Sequence, residues 1–434
     1  MSTDSQNQAP TPLTESEAAY GRFVPQQFLQ LLGRPSIVEV ELGDHVEKEM
    51  TLLFSDIRDF TLLSEAILPA ENFRFINSYL STMEPVVARN RGIIDKYIGD
   101  GIMALFPGTA DDGVRAGIDM LRRLVIYNQG RSRAGYAPIR IGIGLNTGLV
   151  MMGTVGGPNR MDSTVIGDAV NLASRLEGLT KNYGTPLIIS DQTLHSLEDR
   201  GAYSIRFLDR LSVRGRYQAQ SVYEVFDADP EPLWLAKQET KQAFEEAVAF
   251  FHMGRADLAR PMLEECLRGA PDDKAARSYL KRCAAADQGE AHGSVVGGMP
   301  DATWRDEYSV LIEEIDAQHK ELLARAANIA ALVAQGDGAV GGTLNALTEF
   351  SQAHFNTEEN LMRRYGYPFI EEHLRQHRAF QSACEGLCEE ILTAQRDQLY
   401  LLFRIQLLLV DWQINHTTKS DFHLGNFLLR AGIN

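Results

Sequence analysis

Between residues 319 and 421 the chain sets histidines and carboxylates at intervals that a helical bundle can gather into one place. His319 stands in one long amphipathic pattern, His354 and Glu358 are four apart in a second, and His373 and His377 four apart in a third. In a fourth, His416 precedes Asp421 by five residues. Side chains four apart on an α-helix lie one turn apart on the same face, so each such pair points at one site. The patterns run near 307–335, 341–365, 369–394 and 398–424, joined by QGDGAVGG, RYGYP and AQRDQ. Such short connections imply an all-α, up-down-up-down four-helix bundle whose interior can hold two metal ions. Mixed nitrogen and oxygen ligands suit iron better than calcium or magnesium, and the lack of paired thiolates argues against structural zinc. A lone buried histidine is usually a hydrogen-bonded core residue. Seven such groups on four helices are another matter, because each would cost several kcal/mol to bury unpaired. The five-residue step from His416 to Asp421 does not place both on one face of a regular α-helix.

The first half has a different texture. Strand-like runs EMTLLFSDI, GIIDKYIGDGIMALF, IRIGIGLNTG, PLIIS and SVYEVF alternate with helical stretches near 71–90, 111–128 and 168–182. That alternation implies an α/β or α+β domain. Asp56 ends a strongly apolar strand, and Asp100 sits between two glycines in a strand–turn–strand unit. Two carboxylates held at strand ends can share divalent ions, magnesium or manganese by their oxygen preference. A two-ion clamp is suited to in-line phosphoryl displacement. Further on, TVIGDAVNLASRLEGLTK reads as a loop entering a helix, with Asn171 and Arg175 on one face. Arginine stabilises charge on a transferring phosphoryl group, and asparagine orients a sugar oxygen. Each element alone is weak, since solvated polar pairs and aspartates in turns are common.

The segments IDAQHKELL, HFNTEENLM, HLRQHRAF and HTTKSDF together resemble the hemerythrin family. The resemblance implies a di-iron centre held by His319, His354, Glu358, His373, His377, His416 and Asp421, both carboxylates bridging the irons, with one position open to dioxygen. His423 falls outside that motif and reads as a surface or packing residue. The three N-terminal elements, from Glu47 to Val225, resemble the class III nucleotidyl cyclase family. That resemblance implies a ferredoxin-like α+β core pairing head-to-tail as a homodimer, with active sites between the subunits. Asp56, the Ile57 carbonyl and Asp100 would bind two Mg2+ or Mn2+ ions, with Phe60 and Thr61 beside the phosphates. Asn171 and Arg175 would come from the opposite subunit. Lys96 and Thr164 would read the base; guanylyl cyclases carry Glu and Cys there, so this pair indicates ATP. Threonine in place of the usual aspartate marks a subgroup associated with bicarbonate stimulation. VRGR replaces the VKGK-type phosphate segment, leaving Arg214 or Arg216 to take the lysine's role.

The resulting reading is a homodimeric adenylyl cyclase regulated by dioxygen, nitric oxide or redox state through its di-iron domain. The alternatives are an oxygen- or iron-binding protein with an inactive cyclase-like dimerisation domain, and a guanylyl cyclase. Along the chain it implies a disordered tail (1–20), an N-terminal helical segment (21–46), the cyclase domain (47–226), a helical connector resembling one tetratricopeptide unit (234–286), a linker (287–300) and the bundle (301–434). The net charge of −16 excludes a general nucleic-acid or anionic-membrane surface. Four cysteines, Cys266, Cys283, Cys384 and Cys388, lack metal-like CxxC spacing and suggest a reducing compartment. No signal peptide is visible at the start, and the longest apolar stretch, Leu399 to Trp412, is broken by Arg404, Gln406 and Asp411. A cytoplasmic protein is expected.

Overall fold

The strand β1 (His45–Ile57) is apolar along most of its second half because both of its faces are covered. Leu53 and Ile57 enter one core, Met50 and Leu52 another on the opposite side. The computed structural model describes residues 25–65, 67–157, 160–212, 219–287, 301–336, 340–393 and 397–433. The expected tail, all but the first residue of the expected linker, and Arg214 and Arg216 lie outside the described residues.

Around β1 is a sheet of β2 (Ile93–Ile98), β3 (Gly101–Phe106), β4 (Ile141–Gly157), β5 (Arg160–Ile166), β6 (Leu187–Ser190), β7 (Ile205–Ser212) and β8 (Ala219–Val225). Its order is β2-β3-β1-β4-β6-β8-β7, with β5 folded back on β4. The pairing of β4 with β6 is parallel and the rest are antiparallel. The helix α1 (Gln26–Leu31) contributes Phe28 to the Met50–Leu52 core. After the short α2 (Phe60–Glu65), α3 (Pro69–Arg89) and α4 (Ala110–Arg133) cover the other face through Tyr79, Met83 and Val114. The helix α5 (Asp168–Tyr183) lies on the Phe28 side, through Ala169 and Ala173. It rests directly on β4, since a side chain at Gly144 would come within 2.2 Å of the Glu177 amide nitrogen.

One expectation needs correction, and one strand was not expected. Thr164 is on a strand, not a loop, because β4 continues to Gly157 and turns back as β5. Glycines and a partly exposed face disguise the strand pattern there. The strand β7 went unread because its sequence, IRFLDRLS, places Arg206 and Asp209 in the core, where charge breaks the apolar alternation.

Those charges tie the connector to the sheet. After the short α6 (Asp191–His195), α7 (Glu231–His252), α8 (Ala256–Gly269) and α9 (Lys274–Asp287) pack against it. The fully buried Arg206 guanidinium donates to Glu224 on β8 and, bidentately at 2.7 and 2.9 Å, to Asp273 ahead of α9. Lys237 on α7 donates to Glu224 and Asp229. Arg206→Ala leaves buried carboxylates short of donors, so it is expected to cost about 3–5 kcal/mol. A urea midpoint close to that of the unaltered chain would exclude this role.

The C-terminal region forms α10 (Glu313–Gln335), α11 (Val340–Tyr365), α12 (Ile370–Leu392) and a composite α13. In α13, Gln398–Ile405, Trp412–His416 and Phe422–Arg430 are α-helical, and Gln406–Asp411 and Thr417–Asp421 are π-helical. No helix among the described residues is long and apolar enough to cross a membrane.

Candidate metal centre and nucleotide half-sites

The π-turn Thr417–Asp421 answers how Asp421 reaches the bundle interior. With five residues closing the turn, positions 416 and 421 come onto one face. The His416 Nε2 and Asp421 Oδ1 atoms are then 3.0 Å apart. All seven predicted ligands are buried and lie in two groups, Glu358, His373, His377 and His416, and His319, His354, Glu358 and Asp421.

Each carboxylate faces both groups. Glu358 Oε1 lies 3.6 Å from His354 and Oε2 lies 3.2 and 3.1 Å from His373 and His377. Asp421 Oδ2 lies 3.1 Å from His319, and Oδ1 3.2 Å from His373. Two imidazoles therefore flank one end of the carboxylate pair and three flank the other. At the two-histidine end a cavity of about 10 Å3 is lined by Leu322, Leu347, Phe355 and Leu409 among others.

The residues fit bound cations. Glu358 Oε1, both Asp421 oxygens and His319 Nε2 are buried without a hydrogen-bond partner, although imidazoles and carboxylates lie within ion-pairing distance. Burial alone would raise the Asp421 carboxyl, but His416, His319 and His373 hold it well below the ordinary range. Burial opposes protonation of His373, yet Asp421 and Glu358 push it up to about 9, so a proton there supplies part of the charge a cation would bring. Two outer residues were missed from sequence. The Gln318 Oε1 accepts from His354 Nδ1 at 2.9 Å, and Gln376 Oε1 from His416 Nδ1 at 2.8 Å. Each turns Nε2 inward and fixes its lone pair for a metal. Their only signal was the repeated Gln-His pair, each glutamine preceding a ligand on its own helix.

In the N-terminal domain, Asp56 closes β1 and Asp100 sits in the β2–β3 turn. Gly99 takes φ +65°, a conformation that favours glycine, and a side chain at Gly101 would approach the Ser55 carbonyl at 3.1 Å. The Ile57 N–H donates to Asp100 Oδ2 at 3.2 Å. Burial, then the adjacent Asp56, pushes the Asp100 carboxyl up to about 7. Two carboxyls this close favour either a shared proton or a cation.

The Lys96 ammonium donates to the Ser163 carbonyl at 3.3 Å, which brings it beside Thr164. It also pairs with the buried Asp95 at 3.3 Å. Phe60 stacks near Phe75, ring centroids 6.3 Å apart, and Thr61 is exposed. Asn171 and Arg175 project from α5 into a separate cavity of about 450 Å3. Neither Asp56, Asp100, Lys96 nor Thr164 lines that cavity. The two sets of candidate residues thus face different spaces.

Comparison with known proteins finds matches to two separate parts of the chain. Residues 44–226 match the family described as adenylate and guanylate cyclase catalytic domain, and residues 310–428 the hemerythrin HHE cation binding domain. An adenylate cyclase of Anabaena cylindrica is 45% identical over 213 residues, 48% of this chain and 42% of that protein. The terminal-differentiation-specific adenylate cyclase of Dictyostelium discoideum is 35% identical over 273 residues, 62% of this chain and 13% of that protein. Each match therefore spans less than half of the relative. Among solved structures, the adenylyl cyclase CyaB from P. aeruginosa is 33% identical with a TM-score of 0.38, covering 42% of this chain and 96% of that one.

Proposed function

We propose that the protein, whose residues 44–226 match a cyclase catalytic domain and residues 310–428 a hemerythrin-type cation-binding domain, converts ATP to 3′,5′-cyclic AMP and pyrophosphate at a site shared by two copies, under control of a di-iron bundle. The observation that carries the reading is the placement of Asp56 near the end of β1 beside Asp100 in the β2–β3 turn, where the Ile57 N–H donates to Asp100 Oδ2. The separation of this pair from Asn171 and Arg175 supports a site completed by a second copy.

Asp56, the Ile57 carbonyl and Asp100 would hold two Mg2+ or Mn2+ ions. Such ions lower the pKa of a bound hydroxyl and neutralise phosphate charge. The ribose 3′-oxygen forms a bond to the α-phosphorus, its proton leaves, and the bond to the β-phosphate oxygen breaks to release pyrophosphate. Asn171 would orient the ribose and Arg175 would stabilise charge on the α-phosphate. Phe60, Thr61 and Arg214 would border the phosphates. Lys96 donates to a ring nitrogen of adenine, and Thr164 accepts from its exocyclic amine. In the bundle, the five histidines, Glu358 and Asp421 would hold two irons, which supply reversible dioxygen binding. Gln318 and Gln376 keep the imidazoles aimed. Nitric oxide and bicarbonate are further candidate effectors.

Cyclic nucleotide formation by the purified chain with manganese, ATP and GTP tests this directly. ATP is the expected substrate; product from GTP alone would establish a guanylyl cyclase, and none from either a binding protein. Replacing the base-reading pair, Lys96→Glu with Thr164→Cys, is expected to move the ATP:GTP preference toward GTP by about 100-fold, two exchanged hydrogen bonds at about 1.4 kcal/mol each. An unchanged ratio would remove both residues from base recognition.

A further inference from the structure

The cavity into which Asn171 and Arg175 point is closed on its far side by the chain's own bundle. That wall is made by Tyr367 and Phe369 in the turn before α12, by Glu372 and Gln376 on α12 and by Ser420 on α13. In a site shared by two copies, the same space must admit a nucleotide and the strand ends bearing the other chain's Asp56 and Asp100. About 450 Å3 is room for a small ligand, not for a ligand together with a domain edge.

The contacts that hold this wall in place form a polar seam. Arg210 on β7 donates to both oxygens of Asp411 at 2.5 and 2.9 Å. Gln220 on β8 donates to Asn415 at 2.6 Å, and the Asn415 amide donates to the Ala219 carbonyl at 2.9 Å. On β1, Glu49 faces Arg375 at 3.8 Å, and Glu47 faces His423 at 3.2 Å. The apolar part of the interface lies elsewhere, where Phe403 at the beginning of α13 packs on Phe207 and His252. Such a division suits an interface that opens along its polar edge while pivoting on its apolar one.

We propose that the face of the cyclase domain carrying Asn171 and Arg175 is a shared docking surface with two mutually exclusive occupants, the chain's own bundle and the metal-bearing edge of a second copy of this chain. The inference rests on the reading of an active site completed between two copies. It makes the docked bundle an autoinhibitor. Because Asn415 adjoins His416, and Asp411 precedes it by five residues on the same helix, displacement of the metal-ligand helix acts on the seam directly.

The test reverses single charges in the full-length chain, Asp411→Arg and, independently, Glu49→Lys, and restores each pairing with Arg210→Asp and Arg375→Glu respectively. Three properties are read, in iron-loaded and iron-free protein: self-association by sedimentation velocity, amide exchange of α5 at low protein concentration, and cyclic AMP formation. Each single reversal is expected to increase self-association, speed α5 exchange in the monomer and raise activity, within the roughly 5- to 150-fold range typical of coupled sites. Each restored pair is expected to return all three to the starting values. The inference is overturned if folded single variants match the unaltered chain in self-association and α5 exchange. It is also overturned if the unaltered chain already dimerises through α5 with the seam intact. Increased self-association and exchange without product from any form would sustain the shared surface and remove the catalytic reading. The iron-free measurements separate seam opening from loss of the metal centre.

Discussion

Asp100→Asn is expected to abolish cyclic AMP formation, by about three orders of magnitude or more, while leaving the domain folded. Asparagine keeps an acceptor for the Ile57 N–H and the volume of the turn, and it removes the charge that would hold the divalent ion. In the metal-free protein that charge is a burden, because burial and Asp56 push the Asp100 carboxyl up to about 7. A carboxyl raised in the folded state binds its proton more tightly than in the unfolded chain. Its contribution to stability is therefore present at low pH and lost as pH rises through about 7. Above that pH, and without metal, Asp100→Asn is expected to melt at or above the temperature of the unaltered chain. The same proton competes with the cation, so manganese affinity should fall as pH drops below about 7. Calorimetric titration at several pH values, with melting curves of both proteins, checks these points. Retained activity in Asp100→Asn would remove the carboxylate pair from the mechanism.

The second large effect concerns the bundle. Stripping its metal, or introducing His373→Ala, is expected to lower its unfolding midpoint by about 10 °C or more, since a tightly bound ion contributes several kcal/mol to the folded state. Glu358 and Asp421 are fully buried and five imidazoles surround them, so their charge must be met within the site. In the stripped protein, protonated His373 supplies part of that charge. Its pKa is raised to about 9 by Asp421 and Glu358 against the opposing effect of burial. Stability from this source is fully present below the unfolded value, about 6.5, and is lost as pH rises through about 9. The stripped chain should therefore lose stability between those limits, while the loaded chain holds it. Iron content near two per chain, falling in His373→Ala, accompanies this expectation. A midpoint unmoved by chelation would mean that the seven residues form a structural polar core.

Local spacing made much of this architecture legible. Side chains four apart on a helix must share a face, so His354 with Glu358 and His373 with His377 announced a buried site before any fold was known. The Gly-Asp-Gly turn likewise announced Asp100. What escaped reading were places where charge is buried. Arg206 and Asp209 made β7 look like a solvated segment, although their partners come from β8, α7 and the turn before α9. No pattern within eight residues contains those partners. Gln318 and Gln376 escaped for a similar reason, since each serves a histidine on a different helix.

By itself, then, the sequence determined the helical bundle, the carboxylate turn of the N-terminal domain and the residue types gathered at each, because helix and strand periodicity are local properties of the chain. Tertiary structure decided the rest. A π-turn, held in a packed helix, brought Asp421 beside His416 despite a spacing that a regular α-helix would refuse. Folding also set the bundle against Asn171 and Arg175, through ion pairs between residues as far apart as Arg210 and Asp411. Contacts at that separation depend on how whole elements pack, and no local period records them.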